Sequence, residues 1–130
     1  MFQIATYENY PDGTVIFTEG SHGDWIYVVD EGCVEIYRTM NEREIIIARM
    51  KEGEIFGEVA YITKGERTAS ARAIGDTVVG IIDRNFFDRE YNQLSDNFRM
   101  VLKAMAGRLR AATDALIRYQ AEGGSGVRGK

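Results

Sequence analysis

Histidine, cysteine and proline are nearly missing from this chain, with one of each among 130 residues. The single cysteine, Cys33, has no partner for a disulfide within the chain. With His22 as the only other soft ligand, the chain lacks the residues for a Cys/His zinc site, a histidine cluster of the cupin kind or a four-cysteine iron–sulfur cluster. A Cys/His nucleophile pair is equally unsupported. Apolar runs are short as well. None approaches the ~20 residues that span a bilayer, and the start, Met1-Phe2-Gln3-Ile4-Ala5-Thr6, has no basic segment leading into an apolar one. A soluble, cytoplasmic protein is therefore expected, without a metal, a membrane partner or a catalytic residue. Excess positive charge is also lacking: 16 bases stand against 20 acids, a net of −4, so no nucleic-acid partner is expected.

What is present suits one domain, since a chain of this size buries roughly two thirds of the surface its unfolded form exposes. Short strands are predicted at residues 2–7, 14–17, 25–30, 33–39, 44–50, 67–73 and 77–82. Turn signals punctuate them, among them Pro11-Asp12-Gly13, Glu31-Gly32, Glu52-Gly53 and Gly75-Asp76. The spacing argues for an all-β sandwich or barrel over about residues 1–82. Trp25 and Tyr27 are read as core and Cys33 as a small buried hydrophobe, whereas His22, in a glycine-flanked turn, belongs to an exposed loop.

After Asp83, a helix cap, residues 84–91 read as a short helix, and Ser95 caps a long one to about Gln120. Residues 1–94 hold 17 acids and 9 bases, but residues 95–130 hold 3 acids and 7 bases. On the long helix Phe98, Leu102, Met105, Leu109, Ala112, Leu116 and Tyr119 form a seven-residue repeat. The repeat suits either a homodimer seam over 95–120 or an amphipathic helix lying on the β body. In both cases its first two turns are expected to dock there. The single domain is placed at 1–121, and residues 122–130 read as a disordered tail or cloning remnant.

One stretch carries chemistry, running from Gly53 to Ser70. Gly57 lets the backbone turn tightly beside a ligand, and the amides of Glu58, Val59 and Ala60 would open a short helix toward an anion. Arg67 offers a guanidinium fork to the same anion. Glu58, an acceptor when ionised, suits a pair of sugar hydroxyls. Together these residues describe a pocket for a phosphate joined to a ribose. Alternatively, Glu58 and Arg67 pair with each other across an ordinary turn.

The segment Phe56-Gly57-Glu58 followed by Arg67-Thr68-Ala69 resembles the phosphate-binding cassette of the cyclic nucleotide-binding domain family, which includes catabolite activator protein-like and protein kinase A regulatory subunit-like members. Val15 to Gly20, Gly23 to Val29 and Glu31 to Val34 resemble further landmarks of that family, so the likeness spans about residues 10–120. It implies a mainly β fold with C-terminal helices: a double-stranded β-helix, or jelly-roll-like β roll, a short cassette helix and a long lid helix. It also implies cAMP or cGMP as ligand, and no cofactor. Arg67 would pair with the cyclic phosphate, Glu58 would accept from the ribose 2′-hydroxyl, and amides near Gly57, Glu58 and Ala69 would complete the cradle. Thr68 leaves the choice of nucleotide open, with cAMP preferred. From the lid, Met105, Leu109 and Arg110 would cap the purine.

Family members usually carry an effector: a winged DNA-binding domain, a kinase or a channel. Roughly ten residues follow the long helix here, so the expectation is a stand-alone sensor, not an enzyme, whose helix movement is read by a separate effector protein. A cyclic dinucleotide sensor and a ligand-free interaction module on the same fold are the alternatives.

Overall fold

The structure, a computed structural model, describes residues 2–23 and 25–124. Its six strands form one antiparallel sheet, ordered β1-β6-β3-β4, with β2 added to β6 and β5 to β3. The strands are β1 (Ile4–Tyr10), β2 (Val15–Phe17), β3 (Tyr27–Met40), β4 (Arg43–Met50), β5 (Ile55–Phe56) and β6 (Ser70–Ile82). Helix α1 (Glu58–Thr63) lies between β5 and β6, and α2 (Arg84–Gln93) and α3 (Asp96–Tyr119) follow the sheet. The result is the β roll with C-terminal helices that the motifs imply.

Two expected turns do not end strands. Glu31-Gly32 lies within β3 and Gly75-Asp76 within β6, so four predicted strands become two long ones that run antiparallel from Tyr27↔Ile81 to Tyr37↔Ser70. The register shifts around Glu31, and Gly32 has φ +94° with room for no Cβ: it would lie 2.7 Å from the Asp76 carbonyl oxygen. A glycine bulge bends a strand without stopping its ladder, which is how a sheet rolls onto itself. Thr77 Oγ1 donates to the Cys33 carbonyl at 3.0 Å and holds the bend. The tightest turn, by contrast, has no glycine. Asn41 and Glu42, at φ +55° and +63°, join β3 to β4 as a two-residue hairpin.

Tyr27, Val29, Val34, Phe56, Ala71, Val79 and Ile81 form the core inside the roll. A second cluster, Ile26, Tyr61, Ile82 and Tyr91, fills the space beneath α1 and α2. Tyr27 is thus core, but Trp25 is not. It precedes the strand instead of opening it and is 51% exposed. Cys33, beside the bulge, is half-buried rather than fully enclosed.

Both expected helix caps form, Asp83 accepting from the Phe86 amide and Ser95 from the Phe98 amide. The first two turns of α3 dock only through Leu102, which packs against the second cluster, while Phe98, Met100 and Val101 are all exposed. The face that turns inward is instead Leu102, Ala106, Arg110, Thr113, Asp114 and Ile117, in steps of 4, 4, 3, 1 and 3. This face is offset from the heptad stripe, because α3 seats through polar groups as much as apolar ones. A π-helical turn over Gln120–Gly124 continues α3 into the expected tail, the rest of which lies outside the described residues.

Candidate functional site

Gly57 joins β5 to α1 in the left-handed region, at φ +87°. A Cβ there would stand 2.7 Å from Arg67 Nη1 and 3.1 Å from the Trp25 carbonyl oxygen. The position therefore takes glycine for its backbone angle and for the space the arginine uses.

Arg67 is 5% exposed. Nη1 donates to the Gly57 carbonyl at 3.1 Å and Nη2 to the Trp25 carbonyl at 2.9 Å. The guanidinium carbon lies 4.2 Å from the centroid of the Phe17 ring and 5.7 Å from that of Tyr27. Aromatic faces favour a cation so placed. The Arg67 charge in turn opposes the upward push that burial gives the Tyr27 phenol. The arginine's backbone is tied to the turn before β3: its amide donates to Ser21 at 2.9 Å, and the Gly20 amide donates to its carbonyl at 2.8 Å. A charge this buried is costly unless its donors are satisfied, and these bonds hold the fork in one orientation.

Phe56, Gly57, Glu58, Val59, Ala60, Arg67, Thr68 and Ala69 all line one cavity of about 180 Å³. A further part of its lining is apolar, made by Ile36, Ile47, Ala48, Met50 and Ile55, and Leu109, Arg110 and Thr113 come from α3. Of the three lid residues expected, Leu109 and Arg110 reach the cavity. Met105 does not, being 60% exposed on the outer side of the helix. Arg110 Nη2 donates to the Glu66 carbonyl and so links lid to cassette. Sequence reasoning missed the apolar wall and Thr113. Alternation in β3 and β4 could have flagged the wall, but only the seating of α3 reveals Thr113.

Such an arrangement defines a class, a β roll in which a cassette helix, a buried arginine and the long C-terminal helix meet around one cavity. Residues 7–93 match the model of the family described as cyclic nucleotide-binding domain, and the chain belongs to that family. It is 42% identical over 69 residues to the cyclic AMP receptor protein of Thermus thermophilus, covering 52% of this chain and 32% of that one. It is 31% identical over 83 residues to the type II regulatory subunit of cAMP-dependent protein kinase from Drosophila melanogaster, covering 63% and 22%. Both are regulatory or receptor proteins, and the chain spans only a fraction of each. Among solved structures, the cAMP-bound form of the EAL enzyme Bd1971 aligns with TM-score 0.81 at 29% identity, over 90% of this chain and 31% of that one. Its cGMP-bound form aligns with TM-score 0.76 at 31% identity, over 81% and 28%. No described helix is long and apolar enough to cross a membrane.

Proposed function

We propose that this chain is a non-enzymatic cyclic mononucleotide sensor with cAMP as its first ligand. The observation that carries the reading is the convergence of all eight cassette residues on one cavity, with Arg67 buried at its edge. In this reading Arg67 pairs with the cyclic phosphate and the amides near Gly57, Glu58 and Ala69 complete its cradle. Glu58, half-buried on the same wall, accepts from the ribose 2′-hydroxyl, and the apolar wall takes the purine. Thr68, beside the phosphate, accommodates cGMP as a competitor. Leu109, Arg110 and Thr113 close the site from α3, and ligand-dependent seating of that helix is the signal a separate effector protein reads. Ligand can shift α3 only through a difference in affinity between its two positions.

Thermal unfolding with cAMP, cGMP, a cyclic dinucleotide and AMP tests this. At a hundred times its dissociation constant a ligand adds about 2.7 kcal/mol, which for a domain of this size raises the midpoint by roughly 10 °C. A shift with a cyclic mononucleotide and none with AMP is expected. No shift with either cyclic mononucleotide, for protein freed of bound ligand by refolding, would refute the sensor.

A further inference from the structure

Helix α3 makes one wall of the cavity, yet little of it is buried: among its described residues only Ala106 and Ile117 are fully enclosed. Two polar ties on its inner face do the remaining work. Arg110 reaches the Glu66 carbonyl of the cassette loop. One turn further on, Asp114 accepts from Arg38 Nη1 of β3 at 2.5 Å. Leu109 and Thr113 line the cavity beside these ties.

The second tie has a base of its own. Arg38 is 15% exposed in its side chain, and its Nε lies 3.4 Å from Glu19 Oε2. That Nε is buried without a hydrogen bond, so the Asp114 carboxylate supplies the close charged contact. Glu19 is itself fixed, its Oε1 accepting from the Thr39 amide at 2.9 Å and its own amide donating to Ser70 Oγ at 2.9 Å. The residues after it, Gly20 and Ser21, are the ones bonded to the backbone of Arg67. The chain of contacts therefore runs from the cassette arginine, through the turn at 18–21, to Glu19, Arg38 and Asp114.

We propose that Arg38 is a positioning residue of this site: anchored on Glu19, it seats α3 through Asp114 and so sets how long a bound nucleotide stays. The proposal rests on the nucleotide reading for its kinetic consequence, whereas the contacts of the seat are made within the protein. A partly buried charged hydrogen bond slows the opening that lets a ligand leave more than it affects the encounter. The two charges act as one unit, so losing either loses the whole contribution.

The test uses the full chain and a fluorescein-labelled cAMP in stopped flow, with Asp114→Asn, Asp114→Glu, Arg38→Gln and the double variant Arg38→Gln/Asp114→Asn. Asp114→Asn and Arg38→Gln should each raise the dissociation rate about tenfold, with the association rate changed less than threefold. Asp114→Glu should restore most of the slow release, and the double variant should be no worse than either single one. An unchanged dissociation rate, or additive effects in the double variant, would overturn the proposal. Hydrogen exchange of α3 in ligand-free protein is the second measurement. Amides from Met105 to Ile117 should exchange faster in Asp114→Asn, and equal exchange would also overturn it. If the parent chain binds no labelled cAMP while exchange still rises, the nucleotide reading fails and the seat survives.

Discussion

Arg67 is bound twice over, by the carbonyls of Gly57 and Trp25 and by the faces of Phe17 and Tyr27, so its substitution has two consequences. Arg67→Ala removes the partner of the proposed phosphate, and cAMP affinity measured by calorimetry should fall by thirty-fold or more, about 2 to 5 kcal/mol. Some stability is lost as well, so the variant's fold is to be checked by circular dichroism. Unchanged affinity in a folded variant would remove the arginine from the site. A second buried charge, Glu35, is 4% exposed and lies opposite both Arg72 and Arg49, accepting from their Nε atoms at 3.0 and 2.9 Å. Its carboxyl is held below the ordinary glutamate range, first by the Arg72 hydrogen bond and then, against burial, by Arg49. Because the folded value is the lower one, the stabilisation is present above the ordinary range and is lost as pH falls through the lowered value. Glu35→Gln should therefore melt well below the parent at pH 7, and the gap between their midpoints should close in acid below about pH 4. A gap that stays constant with pH would mean that packing, not charge, carries the effect.

The elements differ in how securely they are held. β3 and β6 share a long ladder with buried side chains from both, whereas α3 depends on a few contacts. Its tie to the cassette is Arg110, whose Nη1 would lie only 2.7 Å from a Cβ added at Gly65. Gly65 therefore gives the guanidinium its room. Arg110→Ala should leave the β roll's melting transition nearly unchanged and weaken cAMP binding by about three- to ten-fold, the loss of roughly one solvent-exposed hydrogen bond. A large drop in melting temperature would instead make Arg110 a part of the fold rather than of the lid. On the cassette side, the buried Tyr61 packs edge-on against Phe87 and Tyr91 and donates to Asp88. Burial and that carboxylate push its phenol upward, and these contacts tie α1 to α2.

For the whole molecule, the outer face of α3 is the feature the single chain leaves open. Phe98, Met105, Leu116 and Tyr119 are each half or more exposed, and these are four of the seven positions of the repeat, of which Leu102 turns inward and Leu109 also borders the cavity. An apolar stripe of this kind on a lone helix is the pattern two copies bury between them. Sedimentation should give a dimer at micromolar concentration, and Leu116→Lys should yield a monomer with unchanged cassette geometry and a melting midpoint that no longer depends on protein concentration. A parent chain that sediments as a monomer at every concentration would assign the stripe to a different partner.

Much of this was legible in the residues alone, for definite reasons. Phe56-Gly57-Glu58 and Arg67-Thr68-Ala69 need particular side chains at a set gap, and a glycine confined by its φ and its neighbours leaves a mark that no compensation elsewhere can erase. The caps at Asp83 and Ser95 are local hydrogen bonds and so are written locally. What only the tertiary structure decided concerns pairs far apart in the chain. Whether Glu31-Gly32 ends a strand or bends one depends on Asp76 and Thr77 standing against it. Why Glu35 is buried in an alternating strand depends on Arg72 of β6, 37 residues away. Which face of α3 turns inward was decided by Arg38 and Glu66, through Asp114 and Arg110. An amphipathic helix states in its sequence that it has an apolar face, but which side met the site also depended on polar groups distant in the chain, a charge on β3 and a backbone carbonyl of the cassette loop.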